Sequence, residues 1–348
     1  MQARAAREQG RLSLEELRKA EDRAILDALQ LQRQVGLDVF SDGEYRRSSW
    51  LSNLADAAEG FVEDRVMLEW RGPGGRAEEA AIKAVGGKLR QTRRLTGHEV
   101  EFLKRHAPGP FKMTLPPPSV YIVSAYKPGL SDRYYPTRSD LLRDLVPIVR
   151  NEIQALCEDG VPYIQLDVPQ YTLYIDQKMR ERLRQSGLDP DKALAEAVAA
   201  DNACLQGVRR EGATLAMHIC RGNNQSRWYA EGGYDAIAEK LFGTIQVDAF
   251  LLEYDSERAG GFAPLRFIPA GKTVVLGLIS TKEARLEPQA ELLRRIEEAS
   301  RYVPLENLAL SPQCGFASVA AGNMLSMDDQ RRKLELVVDT ARKVWGRT

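Results

Sequence analysis

Apolar positions along the chain change period several times, and each change marks an element. Leu14, Leu17, Ala24, Ile25, Ala28, Leu31 and Val35 recur at helical spacing. Ser13, with Glu16 three residues on, makes a capping-box pattern before them, and Gly36 is a natural stop behind them. The next run, Leu37-Asp38-Val39-Phe40-Ser41-Asp42-Gly43-Glu44, predicts a short strand ending in acids. From 50 to 110 the pattern is irregular. Gly72-Pro73-Gly74-Gly75 and Gly86-Gly87 read as turns between short alternating runs, so this stretch predicts an excursion from the main fold.

From Phe111 onward short apolar runs alternate with longer amphipathic ones. Strands are predicted over 111–115, 163–167, 215–220, 249–253, 273–278 and 308–311. Helices are predicted over 139–158 (kinked at Pro147), 192–210, near 234–242, and over 288–302 and 327–345. Strands alternating with helices of this length argue for a parallel sheet with right-handed crossovers. With residues 37–44 the count is seven strands, and the chain opens on a helix where a (β/α)8 barrel opens on a strand. A closed barrel leaves no exposed sheet edge and is the favoured fold. The chain therefore reads as one α/β TIM-barrel domain spanning 1–348, with its first strand missing and an excursion at about 50–110.

Composition narrows the function. The 348 residues are 43% hydrophobic, ample for one large core, and Lys+Arg and Asp+Glu balance at 49 each. That balance argues against a nucleic-acid or membrane-surface partner. No apolar stretch is long enough to span a bilayer, and the polar N-terminus is no signal peptide. Four cysteines in a chain this long read as reduced thiols in a cytoplasm rather than a disulfide framework. The three histidines, His98, His106 and His218, limit any histidine chemistry.

Active sites of such barrels lie at the C-terminal ends of the strands. Those ends carry Glu44, Asp167, His218, Cys220, Glu253 and Cys314. His218 and Cys220 are two residues apart, so on a strand they project from one face. Imidazole and thiolate are the preferred ligands of zinc. Cys314, in Ser311-Pro312-Gln313-Cys314-Gly315, completes a His-Cys-Cys set, and Glu253 is a candidate fourth, oxygen ligand. Three firm ligands and a replaceable one describe an open, catalytic zinc site. Cys157 and Cys204 sit within helices and belong to the core. Glu44 and Asp167 either cap the next helix or loop or hold the ammonium of an amino-acid substrate, and Asn223 and Asn224 are loop caps or substrate contacts. His98 and His106 read as surface or structural residues, and 90–94 as a solvated basic face. A zinc with two thiolate ligands activates water poorly, but it lowers the pKa of an incoming thiol, which then attacks a soft carbon such as a methyl group.

Asp42-Gly43-Glu44, Ile164-Gln165-Leu166-Asp167-Val168-Pro169, Met217-His218-Ile219-Cys220 and Ser311-Pro312-Gln313-Cys314-Gly315 resemble, in order, the motifs of the catalytic domain of cobalamin-independent methionine synthase. The resemblance runs from about Leu12 to Trp345 and is closer to the short single-domain bacterial relatives, a group that includes epoxyalkane:coenzyme M transferase. It implies a TIM barrel whose zinc is held by His218, Cys220, Glu253 and Cys314, with Glu44 and Asp167 on the amino group of homocysteine. It also implies that 50–110 lies over the barrel mouth as a lid. The implied activity is zinc-dependent methyl transfer to homocysteine, giving methionine.

Three departures shape that expectation. The chain begins after the Gly-Ser motif of the family's first strand. It has no histidine around Gly277-Leu278-Ile279-Ser280, and no tryptophan over 120–125 to stack on a pterin. The methyl or alkyl donor, folate or corrinoid, is thus left open. The alternatives are a transferase joining a coenzyme M-like thiol to an epoxide or other alkyl electrophile, with Arg46, Arg221 or Arg227 on a sulfonate, and an inactive barrel.

Overall fold

Helices α1 (Gln2–Glu8) and α2 (Leu14–Val35) open the chain in the computed structural model, which describes residues 2–319 and 321–346. Ser13 and Glu16 close the expected capping box, Gly36 ends α2, and Ile25, Leu29, Leu31 and Val35 line its buried face. The excursion is ordered. After α3 (Ser52–Ala55), β1 (Ala58–Glu69) and β2 (Ala77–Gln91) form an antiparallel hairpin, followed by α4 (Gly97–His106). Gly72-Pro73-Gly74-Gly75 lies at the hairpin tip, but Gly86 and Gly87 lie inside β2 and do not turn the chain. They face the register shift between Glu59 and Phe61, where a Cβ on Gly60 would come within 2.5 Å of the Lys88 carbonyl oxygen. Glycine there permits a bulge, which is why the pair reads as a turn in the sequence.

The body continues as β3 (Lys112–Leu115), α5 (Pro118–Ser124), α6 (Arg138–Glu158), β4 (Tyr163–Asp167), α7 (Gln177–Gln185), α8 (Pro190–Leu205) and β5 (Thr214–Ile219). It runs on through α9 (Ala238–Phe242), β6 (Ala249–Glu253), β7 (Thr273–Ile279), α10 (Gln289–Ala299), β8 (Leu308–Pro312) and α11 (Met327–Trp345). Strands β3 to β8 form one six-stranded parallel sheet in sequence order. Every residue of β6 and nearly all of β5 are buried, as in strands covered on both faces. Helix α6 continues through Pro147, and α8 stops at Leu205, short of the expected 210. Buried Glu152 of α6 accepts from the Leu95 and Thr96 amides and from Arg94, which also pairs with Asp159. Arg94 therefore fastens the excursion to the body and is not part of a solvated face.

Residues 37–44 do not form the expected strand. Phe40 alone pairs in parallel with Phe111, donating its amide to Pro110 O and accepting from Lys112 N, both at 2.8 Å. Gly43 (φ 66°) and Glu44 (φ 57°) then turn the chain out of the extended region. Pairing thus runs from Phe40 through β8, and among the described residues no ladder joins β8 back to Phe40. The helices beside those two edges meet. Leu31 and Val35 of α2 pack on Leu334 of α11.

Candidate metal centre and active site

The end of β5 supplies the first two side chains of the site. His218 lies in the strand and Cys220 just beyond it, both buried. His218 Nδ1 faces the Leu251 carbonyl of β6 at 3.3 Å. An Nδ1–H donating there leaves Nε2 free as a ligand, the usual orienting arrangement for a metal-binding histidine. Cys314 lies just past β8. Its neighbour Gln313 is fixed twice, by its amide on Ile279 O at 2.8 Å and its Nε2 on Thr281 Oγ1 at 2.7 Å. Ligand atoms of His218, Cys220 and Cys314 all lie within 4.8 Å of one another, and the two Sγ atoms are 4.0 Å apart. Two thiolates on one tetrahedral zinc, each bonded at about 2.3 Å, stand about 3.8 Å apart, so this donor set and spacing fit zinc.

Proton affinities in the cluster are unequal. The contact with Cys220 holds the Cys314 thiol well below its usual range against burial, helped by His218. The same contact, with burial, pushes Cys220 well above it. For His218, burial disfavours the charged ring, but the Cys314 sulfur and Asp167 outweigh it and raise the pKa. One thiol therefore ionises readily, and a divalent cation would displace the proton of the second.

Glu253 closes β6 and is fully buried. Its Oε2 accepts from Arg221 N at 2.6 Å and its Oε1 from Arg258 Nη2 at 3.0 Å. Burial would raise its pKa, but Lys282, Arg221 and Arg258 lower it on balance. It stands beside Cys220 through the Arg221 amide, outside the group of three ligand atoms.

The two other acids face a different set. Glu44 Oε1 pairs with Arg47 Nη1 at 2.9 Å and accepts from Thr114 Oγ1, and Arg47 also clasps Glu99 through two nitrogens at 2.8 and 2.9 Å. Asp167 pairs in register with His218 across β4 and β5. It keeps part of its surface open, and burial raises its carboxyl to about 6, opposed by His218 and assisted by Glu44. Its Oδ1 accepts from Gln165 Nε2 at 2.7 Å, and Gln165 Oε1 accepts from Lys112 Nζ at 2.9 Å. Neither Glu44 nor Asp167 caps a helix among the described residues.

Loops roof this end of the sheet. Asn223 Nδ2 donates to Gly315 O at 2.9 Å, tying the loop after β5 to that after β8, while its Oδ1 has no partner among the described residues. The hairpin tip pairs Arg71 with Trp228 in both directions, and Glu78 and Asp176 take Arg227 and Arg71. The three arginines suggested for a sulfonate are engaged. Arg221 is spent on Gly232 O, Ala259 O and Glu253 O, Arg227 on Glu78, and Arg46 on Asp22 and His98 O. His106 stacks on Phe102, while Cys157 and Cys204 pack in the core. Lys112, Arg47 and Lys282, which no motif in the sequence singles out, all stand beside the site.

A family profile described as the catalytic domain of cobalamin-independent synthase matches residues 1–343. Bacillus subtilis YxjH, an uncharacterized protein, is 36% identical over 346 residues, which cover 99% of this chain and 90% of YxjH. A methionine synthase from Pyrococcus abyssi is 25% identical over 311 residues, covering 89% of this chain and 80% of its own. Among solved structures, a Listeria monocytogenes protein provisionally called a vitamin-B12-independent methionine synthase superposes with a TM-score of 0.75 at 30% identity, covering 99% of this chain and 93% of its own. A B12-independent methionine synthase from Shewanella sp. W3-18-1, solved with selenomethionine, gives a TM-score of 0.74 at 22% identity over 96% of this chain and 90% of its own, a likeness of fold. The six-stranded parallel sheet is thus the scaffold of methionine synthase-type TIM-barrel proteins. With its profile matched from residue 1 to 343, the chain belongs to the catalytic-domain family of cobalamin-independent methionine synthase.

Proposed function

We propose that this chain transfers a methyl group to the sulfur of homocysteine, giving methionine, at a zinc held by His218, Cys220 and Cys314 with Glu253 as a fourth, replaceable ligand. The observation that carries this reading is the convergence of the first three ligand atoms within 4.8 Å. Zinc bound there would supply the positive charge that lets a thiol lose its proton at neutral pH. The sulfur lone pair then forms the S–C bond, and the methyl group's bond to its donor breaks with its electrons going to the leaving group. Asp167 and Glu44 hold the substrate ammonium. Gln165 and Lys112 orient Asp167, and Asn223 contributes its open oxygen. The hairpin serves as a lid on a single barrel domain. No helix among the described residues is long and apolar enough to cross a membrane. A cytoplasmic setting would keep two thiols 4.0 Å apart reduced.

The test is to assay zinc content and methionine formation from homocysteine, with methyltetrahydrofolate and with methylcobalamin as donors. Stoichiometric zinc that is lost in His218→Ala, with methionine from either donor, is expected. Turnover of 2-mercaptoethanesulfonate with an epoxide and none with homocysteine would move the assignment to the alkyl–thiol transferase. The arginines that alternative called on, Arg46, Arg221 and Arg227, already have partners, and a coenzyme M-like thiol brings no ammonium for Asp167 and Glu44 to hold.

A further inference from the structure

Lys282 stands just past β7 in a segment that is fixed on both sides. Ser280 N donates to Glu287 Oε1 at 2.9 Å, and buried Lys333 clamps that carboxylate at 3.1 Å. Thr281 accepts from Gln313 Nε2 at its hydroxyl and from Asn323 Nδ2 at its carbonyl, each at 2.7 Å. Lys282 is therefore carried beside the segment that bears Cys314. The residue is 7% exposed, and its Nζ has no hydrogen-bond partner among the described residues. An ammonium left unpaired in a protein interior is costly, and burial selects against it unless a ligand supplies the partner. The nearby Glu253 is already taken by Arg221 N and Arg258. Lys282 also lies close enough to Glu253, Cys220 and Cys314 to shift their proton affinities.

The charges around the cluster are arranged in two groups. Asp167 adjoins His218 on the β4 side, with Glu44 beyond it. On the other side β7 lies next to β6, Glu253 pairing with Gly277, and Lys282 comes soon after. Lys112 and Arg47 also stand on the acid side but are committed to Gln165 and to Glu44 and Glu99. A molecule whose sulfur sits at the cluster therefore meets the partly open Asp167 carboxylate on one side and a lone ammonium on the other. A zwitterion matches that pattern, with ammonium to the acids and carboxylate to the lysine. Resting on the thiol chemistry of the proposed function, we infer that Lys282 binds the carboxylate of the amino-acid thiol and is the residue that makes the site select such a thiol.

Calorimetric binding to the zinc-loaded chain tests this, using homocysteine and 3-aminopropane-1-thiol, which is the same molecule without its carboxylate. The wild type is expected to bind homocysteine about ten- to a hundredfold more tightly. Lys282→Met erases that preference by weakening homocysteine alone, and Lys282→Arg keeps most of it. Equal affinity of the wild type for both thiols overturns the inference, as does a preference that survives in Lys282→Met. A Lys282→Met protein that loses its zinc, or weakens both thiols alike, assigns the lysine to charge balance at the metal instead and overturns it too. Failure of the wild type to bind either thiol overturns the thiol chemistry and this assignment together, an outcome distinct from the others.

Discussion

Lys112 reaches Asp167 through a single intervening side chain. Its Nζ donates to Gln165 Oε1 at 2.9 Å, and Gln165 Nε2 donates to Asp167 Oδ1 at 2.7 Å. An ammonium has only donors, so Lys112 fixes which end of the amide faces it, and the NH2 must then face Asp167. The carboxylate that the proposed function places on the substrate ammonium is thus oriented from β3.

Replacing Lys112 with Met frees the Gln165 amide to turn. Hydrogen bonds to charged groups contribute about 1.5–3 kcal/mol, so KM for homocysteine should rise about tenfold or more, with zinc content unchanged. Steady-state kinetics alongside metal analysis check this. Loss of metal, or a fall in kcat with KM unmoved, would contradict the relay.

Arg47 and Glu99 form a bidentate pair with side-chain exposures of 4% and 1%. Glu99→Ala would leave the guanidinium buried with Glu44 as its remaining carboxylate partner. The expected cost is about 3–5 kcal/mol of stability, read from urea unfolding midpoints and slopes. A change below about 1 kcal/mol would show that the pair is hydrated in solution.

Asp42 gives a pH dependence of stability. Its Oδ1 accepts from Glu44 N at 2.9 Å while Oδ2 has no partner among the described residues, and burial, then Glu99, raise its carboxyl from 3.8 to about 7. Between those values the unfolded chain has shed the proton and the folded chain keeps it. The contribution is therefore full below the lower value and is lost as pH rises through about 7. Asp42→Asn should flatten that part of the stability profile, measured by chemical denaturation across the window. An unchanged slope would assign it to other groups.

Much of the candidate site is legible in the sequence because its proposed ligands stand at the ends of unmistakable strands. Ala249–Glu253 and Thr214–Ile219 are continuous apolar runs, and they position Glu253, His218 and Cys220. Residues 37–44 mislead because the left-handed turn at Gly43 and Glu44 cuts pairing to the single Phe40 bridge. The hairpin is hard to read because many of its outward positions are exposed and charged, leaving little apolar pattern. Lys112 and Lys282 are illegible for a different reason. A lysine in sequence reads as solvated, and only sheet register and loop pinning bring these two beside the site, Lys282 buried and Lys112 half-buried.

Zinc-edge X-ray absorption on the purified chain, before and after adding homocysteine, tests the central claim most directly. Stoichiometric zinc with two sulfur neighbours at about 2.3 Å, rising to three with homocysteine, is the predicted result. Absence of zinc, or a sulfur count that stays unchanged on adding the thiol, would contradict it.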